Sequence, residues 1–455
     1  MPATAHHEST QQHLRILASG LESGALLQVK QHINSLHSAE IANLLESLPL
    51  QNRHIIWNLI DPELTGDILV EVNDEVRTGL IEASNEQDLI TAVETLETDD
   101  LADIFDDLPD VVLHQVMRSM SNQDRRRLQE VMAYDEDSAG GLMNPDVISI
   151  RPNVNLDVVL RYLRQRGELP DNTDKLFVVD RDDNYVGTLA IADLLTIDNN
   201  KSVAEVMTTD EKSLDPVLSA REVAAFFEDH NLVSAAVVNS NHDLLGRITI
   251  DDVVDVIREE ADRSILASAG LDEEDDMFAP VVRSAKRRAV WLGINLCTAF
   301  LAAWVIGLFE ATIQHVVALA VLMPIVASMG GIAGSQTLTL VIRGIALDQI
   351  SDTNARWLLR KEMAVGLLNG VLWACVVAFV ASLWFSSSAL GLLIAAAMII
   401  NLIFAALAGA TIPLFLQRIN VDPALAGGVI LTTVTDVIGF FSFLGLATVF
   451  LSHLS

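Results

Sequence analysis

Cysteine is almost absent from this chain of 455 residues, where it occurs at Cys297 and Cys375, both inside apolar runs. Two cysteines in such places exclude a disulfide framework and a cysteine-ligated zinc site, so we interpret them as small hydrophobic residues. Basic residues are also few, because 29 Lys and Arg accompany 61 Asp and Glu and leave a net charge of −32. This deficit argues against nucleic acid as a partner.

The negative charge is concentrated in the first part of the chain. Of the charged residues, 55 acids and 24 bases precede Ala289, and the rest of the chain is largely apolar. So acidic a region favours divalent cations as ligands, although acidity also serves solubility alone. The first residues lack a basic segment followed by an apolar core, so we expect no cleaved signal and a cytosolic position for the acidic region.

Residues 1–133 are predicted to form short amphipathic helices. The segment 39–49 resembles the segment 99–109 at an offset of 60 positions, and each ends in Leu-Pro. Apolar residues at helical spacing, interrupted by proline, predict a right-handed superhelical stack of helix pairs. Asp99, Asp100 and Asp103 in the second segment form either a solvated face or part of a metal site.

A duplicated α/β pattern follows, which we divide into residues 134–200 and 201–258. Strand, glycine, strand, aspartate and helix occur twice in the same order. The duplication resembles a tandem of CBS domains, whose adenine-nucleotide sites often use a hydroxyl and an Asp in the last segment. The second copy has Thr249 and Asp252 there, whereas the first has Ala190 in place of the hydroxyl. The resemblance implies that a regulatory nucleotide such as ATP, where one binds, occupies the second copy.

Residues 259–288 are predicted to be a polar connecting helix with an acidic block at 272–276 and a basic end at 286–288. Five apolar segments follow, each long enough to span a bilayer, at 289–309, 314–341, 362–385, 389–417 and 424–451. The bases among them lie between the second and third segments and after the fourth: Arg343, Arg356, Arg360, Lys361 and Arg418. The positive-inside rule therefore predicts a cytosolic N-terminus and an outside C-terminus.

Asp436 lies near the centre of the fifth segment, which at about 1.5 Å per residue places it near mid-membrane. An ionised carboxylate there costs on the order of 3 kcal/mol even on the gentler insertion scales, so it is expected to face water, a cation or a protein partner. Its helical face also carries Gly428, Thr432 and Gly439. This pattern indicates a cation site in a pore; the alternative is an Asp hydrogen-bonded between packed helices.

The second apolar segment contains Pro324, and a glycine-rich stretch at 330–336 follows two turns later. Such breaks expose backbone carbonyls, which are tolerated in a membrane where they line a cavity. The alternative is that Gly330 and Gly334 form a small-residue packing seam between helices. Both interpretations stand on the sequence alone.

The order of these segments over nearly the whole chain is similar to that of the MgtE family of magnesium channels. The resemblance runs through 134–143 and the CBS pair to Asp422-Pro423 and Asp436. It implies a homodimer whose pore is lined by the second and fifth spans, with Asp436 as the pore carboxylate, and a cytosolic magnesium sensor that closes the pore. The family commonly has Asn where this chain has Ile332 and Ser335, and a polar residue where it has Gly428.

We therefore expect a multidomain chain with a superhelical α-helical N-terminal domain, tandem α/β CBS domains and an all-α membrane domain of five transmembrane helices. The predicted function is Mg²⁺ import through a homodimeric channel that is embedded in the lipids of the inner membrane. The alternatives are a channel for a broader set of divalent cations, a proton-coupled carrier and a CBS-regulated anion channel. A membrane enzyme is not expected, since the spans lack a catalytic cluster. Pore ligands are predicted at Asp436, Thr432 and Gly428. The predicted sensor ligands are Asp99, Asp100, Asp103, Asp251, Asp252, Asp255, Glu259 and Glu260.

Overall fold

The computed structural model describes residues 3–167, 169–170, 172–271, 276–347, 349–351, 353–419 and 421–452. It divides into two compact units. The first comprises Met1–Asp262 with Glu274–Pro280, and the second comprises Arg263–Glu273 with Val281–Ser455. Most of the predicted acidic block, residues 272–275, lies outside the described residues.

The N-terminal part of the first unit is helical throughout. Two helices, α1 (Ala3–Ser23) and α2 (Leu26–Ile33), precede four helix pairs: α3 (Ser38–Glu46) with α4 (Leu50–Trp57), α5 (Pro62–Glu71) with α6 (Asp74–Ala83), α7 (Glu86–Val93) with α8 (Thr98–Asp103), and α9 (Asp110–Ser119) with α10 (Asn122–Val131). Both the first and the second helices of successive pairs begin 24 residues apart. A period of this regularity is typical of stacked helix pairs, and the predicted helical N-terminal domain is confirmed.

The resemblance between 39–49 and 99–109 has a different origin from this repeat. An offset of 60 positions spans two and a half periods of 24, so it relates α3, the first helix of its pair, to α8, the second helix of its pair. Both segments end in a proline that caps the next helix, Pro49 before α4 and Pro109 before α9. The shared Leu-Pro therefore marks helix ends, and the structural repeat is the shorter one.

Two arginines close the loops of successive pairs in the same way. Arg53 donates from Nε to the carbonyl oxygen of Leu45 at 2.9 Å and from Nη2 to that of Leu48 at 3.2 Å. Arg77, which lies 24 positions later, repeats both bonds at 3.0 and 3.3 Å. Each arginine thereby bonds to carbonyls at the end of the preceding helix and in the turn that follows it.

The third nitrogen of each arginine binds a carboxylate. Nη1 of Arg77 donates to Asp107 of the same domain at 3.3 Å. Nη1 of Arg53 donates instead to Asp276 at 2.9 Å, and the two side chains are 3 % and 5 % exposed. The backbone N–H of Asp276 also donates to Glu75. The segment 276–280 is therefore docked on the helical domain by a buried ion pair.

The duplicated α/β part has two small sheets. In the first copy β1 (Ser149–Ile150) pairs parallel with β2 (Lys175–Val179), which pairs antiparallel with β3 (Tyr185–Ala190), and α11 (Leu156–Arg166) and α12 (Ile191–Thr196) cover them. The second copy has α13 (Ala220–His230), β4 (Ser234–Val238), β5 (Leu244–Thr249) and α14 (Ile250–Ser268). The two hairpins shift register at equivalent places, between Val178 and Val179 and between Val237 and Val238. The predicted duplication is confirmed.

The helices cross two of the predicted domain limits. α14 is continuous through the limit at 258/259, so the start of the connector stays a prediction. The next long helix, α15 (Val281–Gly307), begins before Ala289, and the basic triplet 286–288 lies within its first turns.

The second unit is a bundle of long apolar helices. After α15 come the short α16 (Glu310–His315), then α17 (Ala318–Ala346), α18 (Ala355–Trp384), α19 (Ser388–Arg418) and α20 (Pro423–Ser452). In the described part of the chain, five of these helices are long and apolar enough to cross a membrane. α19 lies centrally and packs against α17, α18 and α20, while α17 also packs against α20. α17 stays helical past Pro324, so the expected break in the helix does not occur.

Candidate functional site

A groove of about 940 Å³ runs between α17 and α20. α20 contributes Asp436 and Thr432 to its wall. α17 contributes the opposite wall, in which small and polar residues recur at helical spacing together with two large apolar ones, Ile332 and Leu340. The small and polar members are Ala327, Ser328, Gly331, Ser335, Gln336, Thr339 and Arg343. Of these groove residues, Asp436 is the one acid and Arg343, near the end of α17, the one base.

Asp436 is half-buried in the wall of α20, and the hydroxyl groups near it differ in what they face. The Thr432 hydroxyl donates to the Gly428 carbonyl at 2.9 Å, which leaves its oxygen able to accept a bond from the groove. Thr433 and Thr435 also donate to carbonyls of their own helix, and neither lines the groove. Thr432 is therefore the threonine that sits with the carboxylate.

Gly428 does not line the groove, but its carbonyl orients Thr432. A methyl group added at Gly428 would meet nothing within 4 Å, so the position has room for a side chain. The predicted role of Gly428 in the pore stays a prediction.

The reverse side of α17 is a packing surface. A methyl group added at Gly334 would lie 2.9 Å from the side chain of Leu431, and one at Gly409 would lie 2.6 Å from the Gly334 carbonyl oxygen. Gly330 and Gly439 contact the side chain of Asn401. The packing interpretation of the glycine-rich stretch is therefore supported, whereas the helix break that would expose backbone carbonyls does not occur; the other side of α17 lines the groove as a regular helix. Gly439 belongs to the packing side, so it does not share the groove with Asp436.

A second candidate site lies in the first unit, where α8 faces the start of α14. We call this set of carboxylates the acidic interface: Asp99, Asp100, Asp103, Asp251, Asp252 and Asp255. Burial, followed by the charges of Asp100 and Asp252, raises the pKa of Asp99 well above its usual range. Burial and then Glu97 raise the pKa of Asp100 to about 6.

The pKa values of the other members follow the same direction. Burial, with Glu136 and Asp100 next in effect, raises the pKa of Asp103 to about 7. Burial also raises the pKa of Asp252 to about 7, partly offset by bonds from Thr249. Burial raises the pKa of Asp255 as well. Carboxylates of the helical domain and of the second CBS copy are thus close enough to disfavour one another's ionisation.

The acidic interface does not form a finished ion cage. Among the described residues, no three His, Cys, Asp or Glu side chains are arranged to hold one metal ion together. The oxygen Oδ1 of Asp99 is buried and, within the described part of the chain, has no hydrogen-bond partner. Glu260 pairs with Arg221 at 3.3 Å, and Glu259 is exposed further along α14. The first two turns of α14 are therefore brought to α8, whereas Glu260 is engaged with α13.

The predicted nucleotide ligands overlap the acidic interface, because Asp252 belongs to both sets and Thr249 is bonded to it. The Thr249 hydroxyl bonds to Asp251 and to Asp252, the latter at 3.1 Å. The Thr249 N–H also donates to Asp252, as expected of a helix N-cap. In the first copy Ala190 caps α12 without a side-chain bond. The asymmetry between the copies is present in the structure, and nucleotide binding stays a prediction.

Comparisons with known proteins cover both units. Residues 323–446 match the family described as a divalent cation transporter, MgtE, and residues 36–137 match the MgtE intracellular N domain. Residues 139–199 and 203–259 match the CBS domain. The magnesium transporter MgtE of Bacillus subtilis (strain 168) is 27 % identical over 436 residues, which cover 95 % of this chain and 96 % of that protein. The chain belongs to the MgtE family.

Further relatives extend the comparison. The magnesium transporter MgtE of Thermus thermophilus is 28 % identical over 441 residues, which cover 96 % of this chain and 98 % of that protein. A crystal structure of the cytosolic domain of the Mg²⁺ channel MgtE in complex with ATP is 25 % identical, with a TM-score of 0.48 over 53 % of this chain and 98 % of that one. Membership of the MgtE family and five apolar helices make this a membrane transport protein.

Sequence reasoning missed three polar residues of the membrane helices. Asn401 is fully buried in α19, and Glu362 is buried in α18, where it accepts bonds from Lys361 at 2.9 Å and Thr337 at 3.2 Å. Arg343 belongs to α17 and lines the groove, although the sequence placed it in a loop. An isolated polar residue inside an apolar run indicates a functional position, and the sequence analysis used this indication for Asp436 alone.

Proposed function

We propose that this chain forms a homodimeric Mg²⁺ channel of the inner membrane and that Asp436 is its pore carboxylate. The groove supports the proposal, because it leaves the mid-span acid facing an open path lined largely by hydroxyl-bearing and small residues. A lone carboxylate in an apolar helix is costly unless it meets water or a cation. Packing between helices does not account for Asp436, since it lines the groove, whereas α20 packs on α19 through Gly439.

The chemistry of the groove suits Mg²⁺ that keeps its water. Mg²⁺ dehydrates reluctantly and is commonly held through one or two carboxylates with several waters in place. Asp436 supplies a charge, and the hydroxyls of Thr432, Ser328 and Ser335 can bond to the ion's waters. Ile332, at a position where the family commonly has Asn, presents an apolar side chain to the same path. We therefore expect weaker discrimination among divalent ions than an amide at this position would give.

A dimer would complete the path. The groove of one chain is open on one side, and a second copy facing it would enclose a pore with two Asp436 carboxylates about the axis. Closed cyclic pairs are the commonest oligomers, and a pore on the two-fold axis uses each wall twice. The first unit is placed in the cytosol by the bases that flank the α17–α18 connection, Arg343 in the last turn of α17 and Arg356, Arg360 and Lys361 in the first turns of α18.

We assign closure of the pore to Mg²⁺ binding at the acidic interface. Its carboxylates repel one another when ionised, and a divalent ion would offset that repulsion while monovalent salt screens only beyond about 8 Å. α14 belongs to the acidic interface at its start, and its last residues belong to the second unit, so a change in its position is transmitted along the chain. A regulatory ATP would bind near Thr249 and Asp252; the related cytosolic domain described above was crystallised with ATP.

Two functions remain as competitors. A carrier that couples cation entry to protons would use the same carboxylate, and a channel for several divalent ions would use the same groove. An anion channel fits poorly, because the groove has one acid at mid-span. Uptake under an imposed pH gradient separates the first competitor, since carrier flux follows the proton gradient and channel flux follows the Mg²⁺ gradient and the voltage.

The deciding experiment measures Mg²⁺ entry into proteoliposomes that contain the purified full-length chain. Asp436→Asn should abolish most of the flux, because it removes the charge and keeps the shape. Asp422→Asn is the matched control, since Asp422 is an exposed acid at the start of the same helix and outside the groove. Normal flux in Asp436→Asn, or an equal loss in both variants, would show that Asp436 is not the pore carboxylate.

Regulation needs a separate measurement. Replacing Asp99, Asp100 and Asp103 together by Asn should leave flux high at millimolar cytosolic Mg²⁺. The control is a triple replacement by Gln at three exposed acids of the same helical domain: Glu63, Glu82 and Glu86. If both triple variants close normally with Mg²⁺, the acidic interface is not the sensor.

A further inference from the structure

Asn401 is an isolated amide in the most apolar of the five long helices. The mean hydropathy of α19 reaches 2.6, and the Asn401 side chain has no exposed surface. Its Nδ2 donates to the Val326 carbonyl of α17 at 2.8 Å. Its Oδ1 is buried and has no hydrogen-bond partner among the described residues. Burying an unsatisfied acceptor is costly, so a leucine of similar size would serve simple packing better.

The amide fills a recess that two glycines leave open. A methyl group added at Gly330 of α17 would overlap Nδ2, and one added at Gly439 of α20 would lie 2.9 Å from the same atom. One side chain on α19 thus touches both α17 and α20 at the points where neither has a side chain. The separation of these two helices at this level depends on the volume of residue 401.

These contact points lie directly behind the groove. Gly330 precedes Gly331, which lines the groove, and Gly439 lies one turn after Asp436. A small change in the separation of α17 and α20 therefore moves Asp436 relative to the row of small and polar residues opposite. For an ion held through its waters, the width at this level decides which hydrated cation fits.

We propose that Asn401 is a positioning residue that sets the width of the groove at Asp436 and thereby its selectivity among divalent cations. The selectivity part rests on the proposed function, whereas the spacing part does not. Asn401 touches no ion in this scheme; it acts through Gly330 and Gly439. A residue that only stabilised the bundle would alter the amount of folded protein and leave the ratio of ion fluxes unchanged.

The test uses reciprocal changes in volume. Asn401→Ala empties the recess and Gly330→Ala overfills it, so each should lower the ratio of Mg²⁺ to Mn²⁺ influx in proteoliposomes by roughly tenfold, since displacements of about 1 Å can cost on the order of 100-fold at well-positioned sites. The double variant Gly330→Ala with Asn401→Ala returns volume to the recess and should recover the wild-type ratio to within about twofold.

The matched control is Gly409→Ala, whose methyl group would meet the Gly334 backbone and not Asn401. Adding Asn401→Ala to Gly409→Ala should therefore not restore any change that Gly409→Ala makes to the flux ratio. Leu402→Ala serves as a second control, because the atoms nearest to Gly330 and Gly439 all belong to Asn401, whereas this buried neighbour in α19 belongs to a cluster with Ala374 and Met398. It should reduce stability and keep the flux ratio. An altered ratio in Leu402→Ala, or no rescue in the Gly330 and Asn401 double variant, would overturn the selectivity role.

A second readout needs no ion flux. Spin labels at Leu340→Cys on α17 and Ile430→Cys on α20, with Cys297 and Cys375 replaced by Ser and the labelled chain diluted in unlabelled chain, report the helix separation within one chain. The distance should change in Asn401→Ala and Gly330→Ala and return in the double variant. Unchanged distances in all variants would overturn the spacing role of Asn401, whether or not the protein transports Mg²⁺. A restored distance without Asp436-dependent flux would instead reject the proposed function alone.

Discussion

The ion pair between Arg53 and Asp276 gives the sharpest energetic prediction. All three guanidinium nitrogens of Arg53 are used, two on carbonyls of its own helix pair and one on Asp276. Asp276→Asn keeps the shape but leaves the arginine charge buried and uncompensated. Removing one partner of a buried pair costs about 3–5 kcal/mol. Since about 1.4 kcal/mol corresponds to a factor of ten, the population with 276–280 released should rise by at least about 100-fold.

The second arginine provides the matched control. Asp107, the carboxylate partner of Arg77, is 30 % exposed, and Arg77 has a further ion pair with Asp74 at 3.1 Å. Asp107→Asn therefore leaves a charge that water and Asp74 still compensate, and about 1 kcal/mol or less is expected. The two variants remove the same chemical group from equivalent arginines, so the difference between them reports the combined effect of burial and of the second partner, Asp74.

The assay is limited proteolysis of the full-length protein by chymotrypsin, followed at the bond after Phe278. When opening and closing are fast, the cleavage rate follows the population of the released segment. Cleavage should accelerate on the order of 100-fold in Asp276→Asn and less than about tenfold in Asp107→Asn. Equal rates in the two variants, or unchanged cleavage in Asp276→Asn, would refute the claim that the ion pair docks the segment.

Three further predictions concern the two candidate sites. Asp436→Asn should insert and assemble normally but conduct little Mg²⁺, which size-exclusion chromatography and liposome flux together check. Because burial raises the pKa of Asp103 and Asp252 to about 7 and that of Asp100 to about 6, the folded protein binds protons that the unfolded chain releases above about pH 4. The packed acidic interface should therefore lose stability as pH rises from 5 to 8 without Mg²⁺, and added Mg²⁺ should protect α14 from protease at pH 8 far more than at pH 5; equal protection at both values would contradict this. Calorimetric titration with ATP should show binding that Thr249→Ala with Asp252→Ala removes.

The sequence predicted the architecture well because its signals are local. Five apolar runs, a duplicated strand order and amphipathic helices each follow from residues close together in the chain. Boundaries were less accurate, since α15 starts at Val281 and includes charged residues 286–288 that hydropathy excluded. Pro324 was expected to break α17; the helix continues because neighbouring helices can satisfy the freed backbone groups.

A site could be predicted from the sequence where a single residue is unusual in its surroundings. Asp436 stands out as a charge in an apolar run, and the structure places it in the groove as expected. Asn401 gives a weaker signal, because an uncharged amide in a span is compatible with many roles. Its contacts with Gly330 and Gly439 join three helices, and no spacing along one helix encodes which glycines a third helix will fill.

The position of Asp276 depends on a local repeat and on a contact between residues far apart in the chain. The 24-residue period is visible in the sequence once known, and it makes Arg53 and Arg77 equivalent. Arg77 takes its acid from Asp107, but one period earlier the equivalent position is Ala83, so the repeat supplies Arg53 with no acid of its own. A buried guanidinium without a partner is strongly unfavourable, and Asp276, 223 positions away, supplies the missing carboxylate. Because the repeat lacks an acid at position 83, Arg53 pairs with a distant residue, and this pair determines where the segment 276–280 docks on the helical domain. Restoring the local acid tests this argument: Ala83→Asp should compete with Asp276 for Arg53 and raise the cleavage rate at Phe278, whereas an unchanged rate would show that the repeat does not determine the docking position.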